Sequence, residues 1–121
     1  MSICLLLSGC GARHGALKAL KGIKEIQLRR DAAVFYKNIF AEHQKTMVPV
    51  NASYWSWTFK QLNPDRITAY PDGFALCFEV KGDSEEGIFV VPLGMDVEPK
   101  PTRTASYEKL SEGIYWYSFK P

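Results

Sequence analysis

Pro71-Asp72-Gly73 separates two runs, Arg66 to Tyr70 and Phe74 to Lys81, that both read as strands. So short a break leaves the chain little choice. Proline presets one turn residue, glycine supplies a positive φ, and the strands on either side must pair antiparallel as a hairpin. The pattern recurs downstream. Gly82 to Gly87 reads as a polar loop leading into a strand over Ile88 to Val91, and Ser111-Glu112-Gly113 turns Tyr107 to Leu110 into Ile114 to Phe119. Parallel pairs would need crossovers of about a dozen residues or more, so the spacing predicts an antiparallel meander of four to five strands. Phe74, Leu76, Phe78 and Val80 alternate and are expected to share the face under the helices. One connection breaks the rule of short turns. Pro92 to Thr104 is long, contains Pro92, Pro99 and Pro101, and has no apolar periodicity, and loops of this kind in small domains are usually functional or mobile.

Helices are expected in the first half. Leu28, Ala32, Phe35, Ile39 and His43 recur at three- and four-residue spacing and predict a long helix over 28–43, with Arg29, Arg30, Lys37 and Asn38 facing water. Asn51 or Ser53 can cap a short helix running through Trp55 and Phe59 to Leu62, ended by Pro64. The fold class that follows is α+β, with one long and one short helix on an antiparallel four- to five-stranded meander. At 121 residues with 46% apolar side chains, one domain can bury an adequate core without a metal or disulfide.

The amino-terminal residues carry a different message. Ile3-Cys4-Leu5-Leu6-Leu7 followed by Ser8-Gly9-Cys10 resembles the end of a bacterial lipoprotein signal. The resemblance implies cleavage before Cys10, lipidation of its thiol, and residence in the cell envelope, on the periplasmic side or at the outer membrane. The apolar run spans only five residues and no Lys or Arg precedes it, short of a complete signal. The expected organisation is a truncated signal over 1–9, a tether over 10–22 and a domain over 23–121, with the natural start upstream of Met1. Expressed from Met1, the protein is expected to stay in the cytoplasm. From Ala16 to Gln27, Lys18, Lys21 and Lys24 alternate with Leu17, Leu20, Ile23 and Ile26, and this segment could rest on an anionic membrane surface.

Charge separates along the chain: residues 1–48 hold eight Lys or Arg against three acids, and residues 49–121 hold seven against ten. A nucleic-acid binder would show a denser basic stripe and a recognisable module; none is legible here, and no nucleic-acid partner is expected. The two histidines, His14 and His43, have no ligand-spaced neighbours, so neither a metal nor another cofactor is expected. Cys77 lies in the apolar run Phe74 to Phe78, where a thiol is an inert small hydrophobe. An enzyme would need Cys77, His43 and a carboxylate to meet in one pocket.

Aromatics remain. Tyr54, Trp55 and Trp57 are close together, and Tyr115, Trp116 and Tyr117 are consecutive. Trp55 and Trp116 read as core, whereas Trp57, Tyr115 and Tyr117, with Met95, Val97 and Arg103 of the long loop, are the expected partner contacts. A second resemblance covers roughly 54–119: Trp57-Thr58-Phe59-Lys60-Gln61-Leu62-Asn63-Pro64, Glu86-Gly87-Ile88 and Gly113-Ile114-Tyr115-Trp116-Tyr117 look like a layout found in small uncharacterised bacterial proteins, and it implies a fold without an activity. The functional expectation is a non-catalytic, lipid-anchored envelope module that binds another protein, of inhibitor or immunity type. The alternatives are an assembly component of an envelope complex and a small enzyme of unknown reaction.

Overall fold

The computed structural model describes residues 8–42 and 47–121, with side chains placed for 13–39 and 47–121. Helix α1 spans Ser8–Lys21, α2 spans Glu25–Glu42, a 3-10 turn spans Ala52–Tyr54 and α3 spans Trp57–Leu62. The strands are β1 (Val48–Val50), β2 (Arg66–Tyr70), β3 (Gly73–Lys81), β4 (Ser84–Val90), β5 (Ala105–Ser111) and β6 (Ile114–Phe119). They form one antiparallel sheet in the order β1-β2-β3-β4-β6-β5. The α+β class expected from the turns is the class observed.

Several details differ from the sequence-based expectation. The sheet has six strands, because Val48–Val50 adds an edge, and β4 starts earlier than expected, at the polar residues Ser84 to Gly87. Only Gly82 and Asp83 are left to make the turn. The order is also no pure meander, since β6 lies between β4 and β5. The segment 10–22 is no tether: Ala16 and Leu20 of α1 are buried in the main core. Apolar and basic residues alternating along a helix describe a docked amphipathic element as well as they describe a tether. His43 lies outside the described residues.

One core fills the space between helices and sheet. Phe35 of α2, Phe59 of α3 and Phe74 of β3 meet with ring centroids 5.5 to 6.4 Å apart, joining both helices to the strand beneath. Asp31 adds a polar tie: it accepts from Gln27 at 2.9 Å and from the buried Thr58 hydroxyl at 2.7 Å. Ser56 caps α3 by accepting from the Phe59 N–H, and Asn63 ends it in the left-handed conformation at φ 54°. The cap is thus neither Asn51 nor Ser53, because Asn51 caps the separate 3-10 turn.

Arg29, expected in water, reaches across to the end of β4. Its Nε donates to the Val91 carbonyl at 2.9 Å, and its own carbonyl accepts from the Leu93 N–H at 2.9 Å. Gly113, at φ 74°, lies directly under it; a Cβ there would fall 2.2 Å from Arg29 Nε. The helix layer is therefore fastened to the point where the long connection leaves the sheet.

Candidate functional site

The face of the sheet away from the helices carries its own apolar cluster, built from Ala75, Phe89, Val91, Tyr115 and Tyr117, with Tyr70, Met95, Tyr107 and Phe119 packed against it. Register explains the grouping. Ala75, Phe89 and Tyr115 form one cross-strand row, and Cys77, Gly87, Tyr117 and Tyr107 form the next.

This face is deeply concave. Tyr70 pairs with Gly73 at one end of β3, whereas Phe119 pairs with Glu85, which pairs with Val80 near the other end. In a flat sheet, at roughly 3.3 Å per residue and 4.8 Å per strand, the two would lie well over 20 Å apart. Their ring centroids are 5.8 Å apart. The sheet must therefore coil until two diagonal corners meet. A register shift between Cys77 and Glu79 marks an irregularity of the kind that sharpens local twist. Opposite it, Gly87 has no Cβ, which would fall 1.9 Å from the Leu76 carbonyl oxygen. The shift also turns Val80 away from the helices: it pairs with Glu85 and is half exposed, against the expectation of one continuous face from Phe74 to Val80.

Coiling gathers Tyr70, Phe89, Tyr107 and Phe119 into a closed circuit. Successive centroids are 6.4, 5.5, 6.1 and 5.8 Å apart, and three of the four ring pairs stand at 77 to 81°. These rings line a depression of about 410 Å³ with Asp72, Asp83, Glu85 and Lys120. Glu85 is already engaged, accepting from Arg66 at 2.7 Å and from the Tyr117 hydroxyl at 2.6 Å. Asp72 and Asp83 form no salt bridge among the described residues.

The long connection helps to close the site. Because β4 and β5 flank β6 and run parallel to each other, the chain from Pro92 to Thr104 must cross β6. Met95 packs on the concave cluster, Pro99 is buried and Thr104 lines the depression, so the crossing is made on this side.

The expected partner contacts are distributed otherwise. Tyr115 is 6% exposed and Tyr117 is fully buried, so neither can serve as a surface platform; their rings form the lining beneath the connection. Met95 is partly buried, Val97 is 43% exposed and Arg103 is exposed. Trp57 is 68% exposed but begins α3, whose Phe59 and Leu62 belong to the helix-side core. These residues therefore flank opposite faces of the sheet. Trp55 is half-buried and donates its indole N–H to the Val50 carbonyl, and Trp116 is buried under the Arg13 guanidinium. Lys18, Lys21 and Lys24 are all exposed, the first two in the last turn of α1, where cations also favour the helix dipole. Tyr70, Phe89, Tyr107 and Phe119 were missed as a group, because residues on four different strands carry no common spacing.

Cys77 is buried, and desolvation pushes its thiol pKa up, with the Glu85 charge adding to the effect, the opposite of a poised nucleophile. Burial also raises the pKa of Tyr70 and of Tyr107, the latter to about 12 with help from the Asp72 charge. Tyr117 is raised further by burial and by donation to Glu85. All these hydroxyls stay neutral at physiological pH.

A tyrosine whose folded pKa lies above its unfolded value of about 10 favours folding below that pH and loses its contribution as pH rises through the folded value. Stability should therefore fall between about pH 10 and 12 as Tyr107 titrates. Denaturant melts across this range, with ultraviolet tyrosinate absorbance recorded in parallel, should show both changes together. Complete ionisation of the tyrosines near pH 10 in the folded protein would contradict the burial described.

Compared with known proteins, the chain matches no family model, no curated protein and no solved structure, which leaves the side chains above as the ground for a functional reading.

Proposed function

We propose that this protein is a non-catalytic binding module of the cell envelope, held by a lipid on Cys10, which receives a group displayed by a partner protein in the concave face of its sheet. The observation that carries this reading is the open depression on the concave face, lined by the packed rings of Tyr70, Phe89, Tyr107 and Phe119. Pockets for small groups are typically apolar and aromatic, with a few convergent polar atoms. A coiled sheet holds such walls in place at little entropic cost on binding. The high thiol pKa of Cys77 speaks against nucleophilic catalysis there.

The anchor has a geometric consequence. Only Gly11 and Ala12 separate Cys10 from Arg13, whose Nη2 is 2.6 Å from Glu108 and whose guanidinium lies 5.3 Å from the Trp116 ring centroid. Lipid on Cys10 would hold the domain flush against the bilayer instead of on a flexible leash. Lys18 and Lys21, two to three turns further along α1, would lie roughly 12 to 17 Å from the anchor.

Two experiments test the two parts. A nuclear magnetic resonance screen of the full chain against small cations, anions, sugars and short peptides should yield saturable shifts centred on Tyr70, Phe89, Tyr107 and Phe119 for at least one class. Shifts confined to other surfaces, or none for any class, would count against the concave site. For the anchor, the gene expressed with its upstream DNA in a bacterial host should place the protein in the membrane fraction, and Cys10→Ser should release it. A Cys10→Ser protein that fractionates like the parent would remove the lipid from the account.

A further inference from the structure

The helix layer has an outer surface that neither the core nor the concave face uses. In α1, His14, Lys18 and Lys21 recur at four- and three-residue spacing on the side opposite the buried Ala16 and Leu20, and all three are exposed. In α2, Ile26, Arg30, Val34 and Lys37 follow the same spacing opposite the buried Leu28 and Ala32, and they are exposed as well. Those four buried residues belong to one core shared with the sheet, so both stripes look away from it. Among the described residues, no carboxylate lies on either stripe. Helix α1 contains no acid. In α2, Asp31 is turned to Thr58 and Gln27, and Glu25 occupies the first turn, where it favours the helix dipole.

Large apolar side chains stand among these cations. Val34 is 62% and Ile26 49% exposed. Tyr54 and Trp57, both more than half exposed, lie beside α2: Tyr54 shares a cleft with Asn38, and Thr58, next to Trp57, donates to Asp31. Charge is also uneven across the molecule, since residues 13–39 hold seven Lys or Arg against two acids and residues 47–121 hold seven against ten. Partners of several kinds carry negative charge, and the apolar residues choose among them. A nucleic-acid backbone rewards the cations and gives Ile26 and Val34 nothing. A protein interface gathers its apolar residues at a centre depleted of charge, whereas Ile26 and Val34 alternate with Arg30 and Lys37. An anionic bilayer takes both kinds at once: headgroups attract Lys and Arg, while apolar and aromatic side chains settle between headgroups and acyl chains.

We infer that the outward face of α1 and α2 docks on an anionic bilayer surface, which leaves the concave depression, on the opposite side of the sheet, turned to the water. The inference goes beyond the proposed function and does not need the lipid on Cys10. Salt undoes attachment of this kind, because the Debye length shrinks from about 10 Å at 0.1 M to about 3 Å at 1 M. A lipid anchor survives the same salt, so a salt wash separates the two.

The test uses the full chain as Cys10→Ser, so that no lipid contributes, with vesicles of phosphatidylcholine alone or mixed in equal parts with phosphatidylglycerol. Sedimentation should show salt-sensitive binding to the mixed vesicles, with phosphatidylcholine about tenfold weaker or more. A cation near such a surface contributes about fivefold. Lys18→Gln with Lys21→Gln, and Arg30→Gln with Lys37→Gln, should therefore each weaken binding about tenfold or more. Lys81→Gln with Lys100→Gln makes the same change of net charge at the end of β3 and in the long connection, and should leave binding within about twofold. Val34→Gln with Trp57→Gln should weaken vesicle binding about tenfold. All these side chains are exposed, so folding is not at stake. Absence of binding to the mixed vesicles overturns the inference, as does equal weakening by the helix pairs and the control pair. Tighter binding to heparin or duplex DNA, with no effect of the Val34 and Trp57 changes on vesicles, assigns the face to a polyanion and overturns it too.

Discussion

The contact between Tyr70 and Phe119 is the constraint on which the functional half of this molecule depends. The two residues belong to strands three steps apart and to opposite ends of β3, and only a strongly coiled sheet brings their rings to 5.8 Å. Where β-sheets coil this far, something local has to permit it. Here the register shift between Cys77 and Glu79 faces Gly87, the one position on that row where β4 can approach the β3 backbone without a Cβ in the way. From the coil follow the burial of Tyr117, the gathering of four rings and the placement of Asp72 and Asp83, which belong to different turns, around one depression.

The two sides of the sheet are linked through its topology. Placing β6 between β4 and β5 obliges the chain to cross β6, and the helices already cover one face. The connection therefore crosses the other. Arg29 binds the start of that crossing from α2, and Gly113 gives it room to do so. A helix-layer residue thus positions the roof of the concave site. The prolines suit this role, since an extended chain crossing a sheet benefits from residues with fixed φ and little entropy to lose.

Much of the fold could be read from the residues. Turn chemistry at Pro71-Asp72-Gly73 and at Glu112-Gly113 placed two hairpins, and the apolar stripe of α2 placed the main helix, because both signals are local and periodic. What was not legible is non-local. Arg29 looked solvent-facing because its position on the helix stripe says nothing of a strand end 62 residues away. Ser84 to Gly87 looked like a loop because a run of polar residues and a glycine shows no apolar alternation, although it extends β4, an interior strand paired on both sides. Tyr115 and Tyr117 were assigned to a partner-facing surface, since alternation places them opposite the helices and gives no warning that a connection and a coil would bury that second face. The circuit of Tyr70, Phe89, Tyr107 and Phe119 draws one ring from each of four strands, and only the coil brings them together.

The coil is also the simplest part of the account to examine in solution. A nuclear Overhauser spectrum of the full chain with labelled aromatic rings should contain cross-peaks between Tyr70 and Phe119 and between Tyr107 and Phe119, as expected for centroids 5.8 and 6.1 Å apart. If Phe119 showed contacts to its strand neighbours alone and none to Tyr70, the sheet would be open, and the site built on its concave face would have no walls.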